Sequence, residues 1–328
     1  MTHPAEGEPS PRPADGAALL GIDIGGTKTV AVLFDGGRRV LSRAQTATPA
    51  AEGPDAVVAA AAQLADIVRA AGRAQGLRVA AAGVGTAGVV APDGRTIAAA
   101  TDALPGWAGT PLAARLEDVL GLPVAVLGDV QAFLAGELSA GAAAGAHTAV
   151  GVMAGTGIGG ALAVGGRVLT GAHGATGHLG HVPVPGAERL PCPCGRTGHV
   201  EAVASGPAMT RLLRAAAPDG QRAPDDLRAV AAAAEAGDEE ARAVLTRGGT
   251  ALGTALAGIV SALDPDVVVL AGGVLESGRW YGEALHRAVA EHTLPLLHGV
   301  PVVRAALGAD AVALGAAEHA RETLRPRA

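Results

Sequence analysis

The stretch "ALLGIDIGGTKTVAVLFDGGRRVLSRAQT", Ala18 to Thr46, is three apolar runs separated by two Gly-Gly turns. Short runs rich in Val, Ile and Leu, punctuated by glycine pairs, fold as hairpins. The stretch therefore predicts a three-stranded antiparallel meander. The pattern recurs at "HTAVGVMAGTGIGGALAVGGRVLTG", His147 to Gly171. Two halves that each open on a glycine hairpin predict a duplicated α/β fold.

Outward from the first hairpin, Gly53 to Gly76 has helical apolar spacing, with Asp early and Arg late. "LRVAAAGVGTAGVV" is a strand running into a glycine-rich loop. "TPLAARLEDVLG" reads as a short helix, "PVAVLGDV" as a buried strand and "QAFLAGELSAGAAAG" as a helix leaving it. Beyond the second hairpin, Ser205 to about Leu263 reads as mainly helices, "DVVVLAGGV" as a buried strand and Ala309 to Thr323 as a last helix. No long linker divides the halves, so two domains facing a cleft are expected. Residues 1–17 read as a disordered tail, 18–129 as the first domain, completed by helix 309–323, and 130–308 as the second.

Composition narrows the function. Hydrophobic residues make up 49% of the 328 residues and aromatics only 2%, so the core must be built from Ala, Val, Leu and Ile. The formal charge is −6 with no basic block, which argues against a nucleic-acid or anionic-membrane surface. No apolar run is expected to reach the roughly 18–20 residues of a spanning helix, and the polar, Pro-rich start is unlike a signal peptide. Two cysteines one residue apart make a poor disulfide framework, so a cytoplasmic enzyme is the base expectation.

Three glycine turns are candidate phosphate cradles, because tight turns present backbone N–H groups. In "DIGGTK", Gly25, Gly26, Thr27 and Lys28 would hold phosphate oxygens and Asp23 a Mg2+ ion through water. It is neither a Walker A loop nor a dinucleotide fingerprint, since a strand follows it. "GTGIGG" offers Gly155, Thr156, Gly157 and Gly159 at the equivalent point of the other half. "LAGGV" offers Gly272 and Gly273. Each alone is also an ordinary turn. Paired, the first two fit the actin-like, hexokinase-type (ribonuclease H-like) architecture, in which opposed hairpins grip one polyphosphate. Asp129 lies where a buried strand gives way to a helix. A general base belongs there, and so does a helix N-cap.

"GHLGHVPVPGAERLPCPCGRTGHVE" holds both cysteines and three of the ten histidines. His181, Cys192, Cys194 and His199 are a complete tetrahedral zinc set with no open position, hence structural. Two buried thiols beside unrelated histidines is the other reading.

With these residues in view, the chain resembles the ROK family (repressors, open reading frames and kinases) from about Leu19 to Gly315. "IDIGGTK", "GTGIGG", "GHLGH" and "CPCGRTGHVEAVAS" match its two phosphate motifs, its sugar-contacting segment and its zinc signature. The resemblance implies transfer of the ATP γ-phosphoryl group to a hexose 6-hydroxyl, with Asp129 as base and with His178, His181 and Glu201 on the sugar. It also implies a homodimer, for which the Ala-rich helices between Ala208 and Leu263 could supply the surface. The family's regulators carry an N-terminal DNA-binding domain, whereas only about 18 residues precede the first strand here, so a kinase is expected.

Departures bear on the sugar. Most family glucokinases have Glu where this chain has His178. The family's N-acetylmannosamine kinases share the G-H-x-G-H pattern, which points to that sugar over glucose or N-acetylglucosamine. Gly128 and Ala103 stand where the family usually has Asn. His199 stands for its third zinc cysteine, and imidazole serves that role too. The lost amides also leave room for a weakly catalytic sugar sensor.

Overall fold

The computed structural model describes residues 17–216 and 224–324. The tail expected over residues 1–17 lies outside them, save Ala17, which opens the first strand. The meander forms as expected. Strands β1 (Ala17–Ile24), β2 (Lys28–Phe34) and β3 (Val40–Ala47) pair antiparallel. Leu20, Ile22 and Ile24 of β1 and Val30 to Phe34 of β2 are buried, as central strands covered on both faces must be. Edge strand β3 carries the polar Ser42, Arg43 and Gln45.

Helix α1 (Pro54–Arg73) starts with Pro at its first position and Asp55 in its first turn. Val57, Val58, Ala61, Ala62, Leu64, Ala65 and Val68 form its buried stripe. Strand β4 (Arg78–Thr86) runs into a glycine turn at Gly88, whose φ is +103°, as the strand-then-loop reading expects. Strands β5 (Val89–Val90) and β6 (Ile97–Ala99) then form a small ribbon. After helix α2 (Leu112–Leu120), strand β7 (Val124–Gly128) completes a sheet ordered β3-β2-β1-β4-β7, with β4 and β7 parallel to β1.

The second half repeats this plan. Helix α3 (Asp129–Ala140) leads to β8 (Ala149–Ala154), β9 (Ile158–Val164) and β10 (Arg167–Val168). Helices α4 (Glu201–Ala204), α5 (Gly206–Ala216), α6 (Leu227–Glu235) and α7 (Glu239–Leu263) precede β11 (Val267–Ala271). Helix α8 (Arg279–His292), β12 (Val302–Arg304) and α9 (Ala311–Thr323) close the chain. The sheet order is β10-β9-β8-β11-β12, with the same parallel and antiparallel senses as the first.

Helices α3 and α9 join the halves by crossing between them. A Cβ on Gly315 of α9 would lie 1.8 Å from the Ala132 carbonyl oxygen of α3, and one on Gly136 of α3 would lie 2.2 Å from that of Ala311. Helix α9 also lies against the first sheet, where a Cβ on Gly21 or Gly83 would come within 1.8 Å of its carbonyls at Ala313 and Ala316. The glycines thus bring backbone onto backbone, which explains a dense core with few aromatics.

Two expectations are corrected. The helix expected to run to Gly145 ends at Ala140, because the Glu137 side chain turns back to accept from Ala142 N at 2.7 Å. And one apolar run does reach spanning length: α7 has 25 residues and contains an 18-residue window of mean hydropathy 1.3. More than half of that window is buried inside the protein, so α7 serves as the core helix of the second half.

Candidate active site

The two hairpins are braced differently. In the first, Gly25 N donates to Lys28 O at 3.0 Å. Thr48 holds this turn from outside: its Oγ1 donates to Gly25 O at 2.7 Å and its N to Thr27 O at 3.0 Å. A Cβ on Gly26 would lie 2.9 Å from that of Ala103, so the "DALPGW" stretch abuts the turn. In the second hairpin, Gly155 N donates to Gly157 O at 2.8 Å. The space on the missing side chain's side of Gly155 is open. Gly272, at φ +101°, would place a Cβ 2.2 Å from Ala154 O, so the third glycine turn sits beside the second hairpin. Gly273 next to it faces open space.

The N-terminus of α3 lies between the hairpins. Val130 is packed so closely on β9 that a Cβ on Gly159 would lie 2.5 Å from its Cγ2. Asp129 is the first residue of α3, and the cap position belongs to Gly128, at φ −61° and ψ 148°. Asp129 thus sits one position inside the cap. Its Oδ1 accepts from its neighbour Val130 N at 2.8 Å. Burial pushes its carboxyl above the ordinary range. Burial, with Asp129 nearby, also pushes Asp23 up to about 7, against the pull of Lys28 and Arg43. Two desolvated carboxyls raised in this way suit a bound cation and a proton acceptor.

The sugar-segment residues gather beside Asp129. His178 lies within electrostatic reach of the Asp129 carboxyl. His178 Nδ1 lies 3.0 Å from Ala175 O, and its ring stacks 6.0 Å from that of His181. Glu201 opens α4, and its Oε2 accepts from Ile158 N at 2.7 Å. The ligand atoms of His181, Cys192, Cys194 and His199 all lie within 4.8 Å of one another. Cys192 Sγ is 3.6 Å from His181 Nδ1, and Cys194 Sγ is 3.3 Å from His199 Nδ1. Bonds of about 2.3 Å to sulfur and 2.0–2.1 Å to nitrogen at a tetrahedral angle require about 3.5 Å between such atoms, so the donor set fits zinc. With Nδ1 facing the cluster, His181 keeps Nε2 for a ligand.

Two features lay beyond the sequence reading. The Thr48 brace follows a polar run with no turn signal. Gln131 is buried and links Gly128 N, at 3.3 Å, to Gly174 O, at 3.4 Å, tying α3 to the loop before His178. Lys28, already singled out by the sequence, is the single lysine among 25 basic Lys and Arg residues.

The ROK family model matches residues 19–323. An N-acetylmannosamine kinase of Citrobacter koseri is 34% identical over 300 residues, covering 92% of this chain and 97% of that one. A ROK hexokinase from Thermus thermophilus superposes with a TM-score of 0.83 at 37% identity, covering 94% and 99% of the two chains. A ROK family glucokinase from Streptomyces griseus, solved with glucose and AMPPNP, gives 0.73 at 30% identity, covering 93% and 99%.

Proposed function

The chain belongs to the ROK family, and from that premise we propose that it is an ATP-dependent sugar kinase that phosphorylates the 6-hydroxyl of N-acetylmannosamine. The observation that carries the chemistry is Asp129, a raised and buried carboxyl at the start of α3, with a glycine hairpin on either side. The observation that carries the sugar is His178 in place of a carboxylate, together with the likeness to the C. koseri kinase.

The triphosphate lies across Gly25–Lys28 and Gly155–Gly159, with the adenosine toward Gly272 and Gly273. Asp23 would hold Mg2+ through water, which when bound neutralises charge on the phosphates. Asp129 accepts the 6-hydroxyl proton as that oxygen attacks the γ-phosphorus in line. The bond from the γ-phosphorus to the bridging oxygen breaks, and ADP leaves. Backbone N–H groups of the hairpins offset charge on the transferring group. A raised pKa keeps Asp129 basic enough to take the proton near neutral pH.

His178, His181 and Glu201 hold the sugar. His181, Cys192, Cys194 and His199 hold a zinc ion that, when bound, shapes this pocket and fixes the His181 tautomer. The reading places a domain boundary at 129/130, with α9 completing the first domain. It places the protein in the cytoplasm as a homodimer, without nucleic-acid or membrane partners.

His178→Glu tests the substrate. The reading predicts a shift in kcat/KM from N-acetylmannosamine toward glucose; an unchanged ratio removes His178 as the selector. A second reading, glucokinase activity, is favoured by the likeness to the S. griseus glucokinase, and the same sugar comparison decides it. A sugar sensor of low turnover is the reading that Gly128 and Ala103 favour.

A further inference from the structure

Glu201 enters the proposed function as a sugar ligand, yet its side chain is hydrogen-bonded to the nucleotide hairpin. Its Oε2 accepts from Ile158 N at 2.7 Å, a short charge-assisted bond. The hairpin is pressed onto this carboxylate: a Cβ on Gly157 would lie 2.7 Å from the same oxygen. Five residues on, Gly206 N donates to Gly155 O at 3.0 Å. The segment Glu201–Gly206 therefore grips the hairpin at both ends, and Thr156 and Gly157 lie between the two grips.

The segment is itself rigid. Ser205 Oγ donates to Glu201 O at 2.9 Å and accepts from Ala208 N at 3.3 Å, locking α4 to α5. Val200 N donates to Val182 O at 3.0 Å, which fixes the backbone just before Glu201.

We propose that Glu201 is a positioning residue for the nucleotide as well as a sugar ligand: one carboxylate oxygen holds the Gly155–Ile158 hairpin in its binding shape, and the other faces the sugar. The sugar pocket and the nucleotide loop then share one side chain, so disturbing it weakens ATP binding even when no sugar is present. The inference rests on the kinase reading for its ligands.

The test is nucleotide affinity without sugar, using Mg2+ with a non-hydrolysable ATP analogue, alongside amide exchange at Ile158. Glu201→Gln keeps an acceptor for Ile158 N, so its analogue affinity should stay within about twofold of wild type and the amide should stay protected. Glu201→Ala removes the acceptor, so affinity should fall about tenfold or more, as loss of a charge-assisted bond implies, and the amide should exchange quickly. Glu201→Asp is one methylene short and keeps the charge; it should follow the Ala variant, and it serves if that variant folds poorly. Equal zinc content across the variants shows that the metal loop is intact. Wild-type affinity and a protected Ile158 amide in both the Ala and Asp variants would overturn the inference while leaving the kinase reading standing. A wild-type protein that binds sugar but no analogue overturns both.

Discussion

Replacing Asp23 by Asn should make the ligand-free protein more stable at pH 8 and change little at pH 4. Asp23 moves from an ordinary 3.8 to about 7, first because it is buried and then because Asp129 is near. The folded state therefore favours the neutral carboxyl and binds a proton that the unfolded chain has already released. The sign follows: wild-type stability is full below about pH 4, falls as pH rises through about 4 to 7, and levels off above that. A rise of about 3 pKa units at 1.36 kcal/mol each sets a ceiling of about 4 kcal/mol, with part of it shared with Asp129. Asn stays neutral at every pH, so Asp23→Asn should lack most of this slope. Urea unfolding at pH 4.5, 6 and 8, without nucleotide or added Mg2+, measures it. MgATP should then narrow the gap at pH 8 by stabilising wild type more than the variant. Parallel stability curves for the two proteins would refute the reasoning, because they would mean that Asp23 carries its charge in the fold at no cost.

Three further outcomes follow from the geometry. Gly128→Asn should be tolerated, since its φ and ψ suit any residue and a Cβ there meets nothing nearer than 3.4 Å; calorimetry should show sugar affinity rising about two- to tenfold if the amide reaches a hydroxyl. Gly315→Ala should lower stability by about 3 kcal/mol or more in urea unfolding, because its Cβ would fall 1.8 Å from Ala132 O with only backbone to move. Stripping metal with a chelator, or Cys192→Ser, should lower both the thermal midpoint and sugar affinity, and metal analysis of the wild type should find one zinc per chain.

The halves were legible because each opens with a period and a turn that only a hairpin satisfies. Ile22–Asp23–Ile24 leads into Gly25–Gly26 and a second apolar run, and Val152–Met153–Ala154 leads into Gly155 in the same way. The Cys/His cluster was legible from residue types, and His181, Cys192, Cys194 and His199 do come together, with ligand atoms within 4.8 Å of one another. Other features depend on contacts far apart in sequence. That Glu137 turns back onto Ala142 N at the end of α3, held there by Ala306 N and Leu307 N at 3.1 and 2.9 Å, could not be read from a helical run that continues to look helical. The apolar character of α7 is the same whether lipid or protein covers it, and only its packing against α8 and the β8–β11 side of the sheet decides. Asp129 could be a cap or a base from its position; the extended Gly128 before it settles which residue caps the helix. The second contact of Glu201 was hidden because the backbone it holds lies 43 residues upstream.

The most direct test of the account is phosphoryl transfer itself: ADP release with MgATP against N-acetylmannosamine, N-acetylglucosamine, glucose and mannose, with Asp129→Asn as control and the phosphorylated position identified in the product. The account predicts turnover greatest on N-acetylmannosamine, a 6-phosphate product, and a loss of about 10²- to 10⁴-fold in kcat in the Asp129→Asn protein with sugar binding retained. Full turnover in the Asp129→Asn protein, or no turnover on any of the four sugars by zinc-replete wild type, would contradict it.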